Sequence, residues 1–311
     1  MIKQIKYKNI TWIDVHAPTR EEIDSLSKEY DIHTIVHTEL MHPSPRSKVD
    51  LYDNFIYLIL HFPSEHFFKA EDEDEDGTKE IDFVLGKDFI ITTHYENIQP
   101  LEDFSNILQA GEQVKSKREK DAHAGYLFYY IIRELYQSLE PGLDYINNNL
   151  KRVERKIFSG HEKEMVRTLS NMNRSLLDLK WALKGHREVL NSLEIAAKEF
   201  YGDRFGYHLK TIVTEYEKVF SILENNEENF QQLHNTNESM LSIQSNEIMK
   251  TITIMAYVFL PVTLIGTIFG MSGLDTNMPI IKSDWGFFLV LGLMLITSVL
   301  MILVIKFKKW L

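Results

Sequence analysis

Two stretches near the end of the chain carry no charged residue, residues 251–274 and residues 285–305. Each meets the roughly 20 residues that a helix needs to cross a bilayer core of about 30 Å. Two such runs in succession, with a short turn between them, predict two transmembrane helices rather than two buried helices of a soluble protein. The connector holds Gly, Asn, Pro, Ser and two Asp, and reads as an exposed turn. Ahead of residue 250 the pattern is different. Strand-like runs occupy residues 10–15, 55–61, 81–85 and 89–93, with Gly86, Lys87 and Asp88 as a hairpin turn between the last two. Thr19 and Glu22 have the spacing of a capping box and open a helix just after Pro18.

Strand signals stop near residue 121. Helical spacing then runs to residue 199, with a break at Phe158, Ser159 and Gly160 and another at Gly202 and Gly206. From residue 207 to 271 the interruptions are Pro261, Gly266 and Gly270, so one helix of about 65 residues and ~95 Å is expected. A soluble domain has no need of such a rod for its own core. A rod that couples a cytosolic part to the membrane does.

The expected architecture is an α+β (α/β) cytosolic domain at the N-terminus and a very long stalk helix continuous with the first of two C-terminal transmembrane helices. The expected divisions are residues 1–120 for the α/β domain, 121–250 for the helical stalk region and 251–273 for the first, pore-lining span. An external loop at 274–284, a second span at 285–305 and a basic tail at 306–311 complete them. Lys306, Lys308 and Lys309 follow the second run, and the positive-inside rule keeps them cytoplasmic. Two spans then put the N-terminus in the cytoplasm too. Trp285 and Trp310 stand where interfacial aromatics anchor a span.

Composition narrows the function classes. Lys and Arg number 34 against 45 Asp and Glu, a net charge of −11, and no basic stripe is visible, so a nucleic-acid partner is not expected. An acidic part beside a membrane raises the local concentration of cations, although solubility alone accounts for the charge equally well. No cysteine is present, which excludes disulfides, thiolate metal sites and Cys nucleophiles. The first residues have no apolar run after their lysines and do not read as a secretory signal. Six adjacent carboxylates at residues 71–76 are expected to form a solvated loop rather than a cation site. No phosphate-binding loop and no nucleophile–base constellation emerges, so an enzyme is not expected.

One stripe of the long helix carries candidate chemistry. At alternating steps of three and four it presents Asn246, Met249, Thr253, Ala256, Leu260, Thr263, Thr267 and Gly270. Polar groups are costly in lipid, so this stripe is expected to face protein or water. Tight helix packing through small residues is the competing role, and helices ringed around a pore do both. A single helix hairpin cannot enclose a pore, so that reading needs a symmetric oligomer. The stripe offers only neutral oxygens, which suit a hydrated divalent ion; Mg2+ holds its waters tightly. Met249, Ile252 and Leu260 have the character of an apolar gate that closes by dewetting.

Several of these residues resemble the CorA family of magnesium/cobalt transporters. The resemblance lies in Asn246, Glu247, Ile248, Met249 and Lys250, then Leu260, Pro261, Val262 and Thr263, then Gly266, Phe269, Gly270 and Met271. Met278 and Pro279, Trp285 and Gly286, and the basic end from Lys306 to Trp310 are similar as well. Weaker likenesses at Trp12 to Asp14, Lys48 to Asp53 and Val84 to Lys87 extend it over nearly the whole chain.

The resemblance implies a funnel-shaped homopentamer in a cell membrane, with five copies of the long helix lining the pore. Divalent metal ions, Mg2+ foremost, would be both its substrate and its regulator, with no further cofactor. Asn246 and Thr263 would contact hydrated ions, Met249, Ile252 and Leu260 would form the gate, and Gly270 and Met271 the outer mouth. Three positions depart from the family. Ser272 stands in place of the signature Asn, Thr267 stands where Gly is frequent, and Ile280 replaces an external Glu. Ser272 and Thr267 are therefore expected to form a selectivity site about one turn deeper. Proton-coupled zinc transport and a non-conducting membrane scaffold are the alternatives. The first would want an ionisable relay that the stripe does not provide. Asp88, Asp203, Glu215 and Glu217 are candidate cytosolic sensing carboxylates, left unassigned because surface charge explains each.

Overall fold

The central strands of the N-terminal part are too apolar to leave either face in water, and both faces are covered. The computed structural model describes residues 2–64, 77–110, 123–271 and 285–308. The acidic run at 71–76, the connector at 273–284, Ser272, Ile280, Lys309 and Trp310 lie outside the described residues. The strands are β1 (Ile2–Tyr7), β2 (Ile10–His16), β3 (Lys48–Leu51), β4 (Ile56–Pro63), β5 (Thr78–Leu85) and β6 (Phe89–His94). They form one sheet in the order β1-β2-β6-β5-β4-β3, in which β2 and β6 run parallel and the other neighbours antiparallel.

Side-chain alternation sends successive residues of β5 to opposite faces. Val84 joins Tyr57, Ile59 and Ile91 under the short helices α1 (Arg20–Glu29) and α2 (Thr34–Glu39). Phe83 points the other way, edge-on to Phe128 of α4 (Ala124–Gln137) at 5.4 Å between ring centres. On that second face Trp12 meets Phe104 of α3 (Gln99–Gln109). Thr19 caps α1 as its spacing predicts: its hydroxyl accepts from Glu22 N, and Glu22 Oε2 accepts from Thr19 N at 2.9 Å. Thr19→Ala removes half of that reciprocal pair, and thermal unfolding of the purified protein should show a loss of about 1 kcal/mol.

Two strands are absent from the sequence expectation. The sole buried residue of β1 is Ile5, and β3 buries none of its four residues. Both are edge strands carrying lysines, a device that blunts exposed sheet edges and also erases the alternation by which a strand is recognised.

Four helices follow: α4, α5 (Glu140–Phe158), α6 (Glu162–Lys184) and α7 (His186–Tyr201). The breaks expected at residues 158–160 and 202–206 are present, and Gly160 and Gly202 have φ of 86° and 91°, a region that favours glycine. The break at Gly185 has an ordinary φ of −72° and gives no such signal. His186 directly after it is fully buried. Its Nδ1 takes the Tyr136 hydroxyl at 2.8 Å and its Nε2 faces the His61 carbonyl at 2.9 Å. Burial pushes its pKa down to about 3, so the ring is neutral and ties α4, α7 and β4 together.

The last two helices are α8 (Gly206–Met271), 66 residues without interruption, and α9 (Gly286–Phe307). The chain divides into two compact units, residues 1–235 and 236–311, with the boundary inside α8. The sheet and the helices α4–α7 thus share the first unit, and the division expected near residue 120 falls on residues outside the described ones. The second unit holds both charge-free segments, and each of its helices is long and apolar enough to cross a membrane.

Candidate ion pathway

Within the second unit, α8 carries two different faces. Ile254, Val258, Pro261, Val262, Ile265, Gly266 and Phe269 are half-buried. Gly266 of this set packs on α9, whose own half-buried positions include Val290, Met294 and Met301. At Gly266 a Cβ would stand 2.7 Å from Met294 Cε. The missing side chain makes room for the methionine, so Gly266 serves helix packing rather than the stripe.

Every member of the stripe is exposed: Asn246, Met249, Thr253, Ala256, Leu260, Thr263, Thr267 and Gly270. At about 100° per residue the stripe centres roughly opposite the seam against α9. The gate candidates Met249, Ile252 and Leu260 are 62%, 57% and 69% exposed, on or beside that outer face. From Asn246 to Gly270 the stripe runs about 36 Å along the helix. The backbone of Met271 ends α8.

The threonine hydroxyls have a fixed polarity. Thr253 donates to the Met249 carbonyl at 2.8 Å, Thr263 to Phe259 at 2.7 Å and Thr267 to Thr263 at 2.7 Å. Each hydrogen is turned back into the helix, and each oxygen keeps its lone pairs for an outside donor. The water shell of a divalent cation points its hydrogens outward. A row of such acceptors would match a hydrated cation without taking any of its waters.

The carboxylates singled out from the sequence as candidate sensors are not brought together. Glu215 meets Arg133 at 3.3 Å, Glu217 meets Arg187 at 3.2 Å, and Asp88 and Asp203 sit in separate turns. Among the described residues no group of three or more His, Asp or Glu has metal-holding geometry.

A different acidic pair escapes the sequence reading. Glu80 and Asp82 occupy alternate positions of β5 and are buried on the face toward α1 and α2. Glu80 Oε2 accepts from Ser44 N at 2.6 Å and lies 3.4 Å from His61 Nε2. Asp82 Oδ2 accepts from the Thr93 hydroxyl at 3.0 Å. Glu80 Oε1 and Asp82 Oδ1 have no other donor. Burial, the Glu80 charge and a hydrogen bond to Glu80 that only the protonated acid can make hold the Asp82 carboxyl well above the usual carboxylate range. A proton held on Asp82 would give that carboxyl a donor in a place where these oxygens otherwise have none. The sequence signal is two carboxylates at i and i+2 in a run otherwise apolar, a pattern that also fits the end of an exposed strand.

Residues 7–309 match the family model of the CorA-like Mg2+ transporter protein. The chain belongs to that family. It is 24% identical over 302 residues to the cobalt/magnesium transport protein CorA of Thermotoga maritima, covering 97% of this chain and 83% of the relative. It is 27% identical to the magnesium transport protein CorA of Helicobacter pylori strain 26695, covering 99% and 92%. The fold matches the complete structure of the CorA magnesium transporter from Methanocaldococcus jannaschii with a TM-score of 0.80 at 19% identity, over 99% of this chain and 94% of that one. A CorA family member with two candidate spans is a membrane transporter of divalent cations and not an enzyme.

Proposed function

We propose that the protein is a homopentameric, funnel-shaped channel that passes hydrated Mg2+ down its electrochemical gradient and is shut by intracellular divalent cation. The observation that carries this reading is the exposed stripe of acceptor oxygens on α8, turned away from the seam with α9. Five copies would line one axis with Asn246, Thr253, Thr263 and Thr267, closed at Met249, Ile252 and Leu260. Gly270 and Met271 would form the outer mouth, with Thr267 as a further selecting ring near Ser272. The basic end after α9 keeps both termini in the cytoplasm under the positive-inside rule. Membrane potential suffices as the driving force, since about −100 mV is worth ~4.6 kcal/mol for two positive charges.

The names of the relatives point to magnesium or cobalt as cargo. Proton-coupled zinc transport finds no ionisable side chain on the stripe between residues 251 and 271. The test is flux into proteoliposomes at fixed voltage, with Mg2+, Co2+, Ni2+ and Zn2+ compared and pH varied. Voltage-driven Mg2+ uptake that ignores a pH gradient is expected. Uptake that follows the pH gradient supports the zinc alternative, and no flux of any ion overturns the channel.

A further inference from the structure

The hairpin of α5 and α6 holds a groove that is charged at one end and neutral at the other. Its turn lies at residues 159–161, so Tyr145 stands across from Ser175, and Lys156 across from Glu164. The groove has a volume of about 460 Å3 and runs about 17 Å along α5 from Tyr145 to Lys156. That is the size of a small-molecule site and far more than a packing void. Steps of three and four residues bring Ile146, Asn149, Val153 and Lys156 to one face of α5. Ile146, Val153 and Met165 are buried and form the floor.

The two ends differ in chemistry. Toward the start of α5 no charged side chain lines the groove. Tyr145 and Met172 wall it there, and the Ser175 hydroxyl is spent on the Asn171 carbonyl at 3.3 Å. At the turn end stand Arg152, Lys156 and Arg167 with one acid, Glu164. All four are exposed, and among the described residues none of them makes an ion pair. Residues 151–167 carry six basic side chains against three Glu, in a protein of net charge −11. The negative end of the α5 dipole favours Lys156, but Arg167 lies toward the positive end of α6 and has no such reason to be there.

We infer that this groove binds a single-chain amphiphile with an anionic head, a long-chain carboxylate. Its head lies among Arg152, Lys156 and Arg167, and its tail runs over the apolar floor toward Tyr145 and Met172. The guanidinium fork matches a carboxylate with two parallel hydrogen bonds. Glu164 at the same end disfavours a doubly charged phosphate head. An acidic peptide would set charge along the whole length, where the groove offers cations at one end. The inference uses α5 and α6 alone and stands or falls independently of ion conduction.

The full-length protein in nanodiscs is photolabelled with dodecanoic acid carrying a diazirine at the tail end or beside the carboxylate, and the modified residues are mapped by mass spectrometry. The tail probe is expected on residues 145–149 and 171–175, and the head probe on residues 152–156 and 164–168. Excess dodecanoate should suppress both, and dodecanol neither. Combining Arg152→Gln, Lys156→Gln and Arg167→Gln should cut labelling about tenfold at an unchanged thermal midpoint. Thr168→Trp, which fills the middle of the groove, should abolish labelling by the tail probe and decides the matter should the triple variant unfold. An unlabelled hairpin, the same pattern from both probes, or equal competition by dodecanol overturns the inference. Displacement by inorganic phosphate or a soluble Glu-rich peptide where dodecanoate fails also overturns it, because the occupant would then be of another kind.

Discussion

Proteoliposomes carrying Leu260→Ser should leak divalent cation when the interior Mg2+ concentration is high, at roughly ten times the wild-type rate or more. In the proposed pentamer five leucines meet at one level of the axis, and water leaves a constriction whose wall offers no hydrogen bonds. Leu260 is 69% exposed in a single protomer and sits between the acceptors Thr253 and Thr263 on the stripe. Serine removes the bulk and adds a hydroxyl that can back-bond to the carbonyl four residues earlier, as the neighbouring threonines do. Leu260→Met keeps an apolar ring and should stay near wild type. Wild-type flux through the serine variant, with its oligomeric state unchanged, would remove Leu260 from the closed gate.

Asp82→Asn should flatten the dependence of stability on pH. In the unfolded chain this carboxyl titrates near its ordinary 3.8, whereas burial and Glu80 keep it protonated to higher pH in the fold. Between those two values the folded state binds one proton more than the unfolded state. The stabilisation is complete below 3.8 and is lost as pH rises through the folded value, at up to ~1.4 kcal/mol per pH unit. His61 adds the same sign at higher pH. Burial opposes its charged form, but the Glu80 hydrogen bond, the Ser44 carbonyl and the Glu80 charge outweigh it and raise its pKa above 6.5. Asparagine keeps an acceptor for Thr93 and offers Glu80 an N–H that no pH removes. Thermal midpoints in detergent between about pH 5 and pH 8 should fall for wild type and stay flatter for the variant, which is the more stable at the alkaline end. Parallel curves would show that Asp82 does not carry the dependence on pH.

The membrane segments and the 66-residue helix were legible in the sequence because they rest on long, uniform patterns. Absence of charge over more than 20 residues has few other meanings. Edge strands such as β1 and β3 left too little apolar alternation to read. The break at Gly185 went unseen because a glycine of ordinary φ inside a helical pattern looks like any other. The stripe itself was readable at helical spacing, but not the direction of its hydroxyl hydrogens, which depends on the carbonyl four residues back. The packing role of Gly266 depends on where Met294 comes to lie on α9, a contact that no local pattern in either helix announces. The raised pKa of Asp82 arises first from burial on the face that α1 and α2 cover, helices that are distant from β5 in the chain.

The back-bonded threonines carry a consequence for ion sign. A chloride entering such a bore would need hydrogens pointed at it, and Thr253, Thr263 and Thr267 have spent theirs on their own backbone. What would remain toward the axis of the proposed pentamer is electron density on neutral oxygen. In the proposed pentamer, anions would be turned away by the orientation of hydroxyl dipoles, without a formal charge on the stripe between residues 251 and 271.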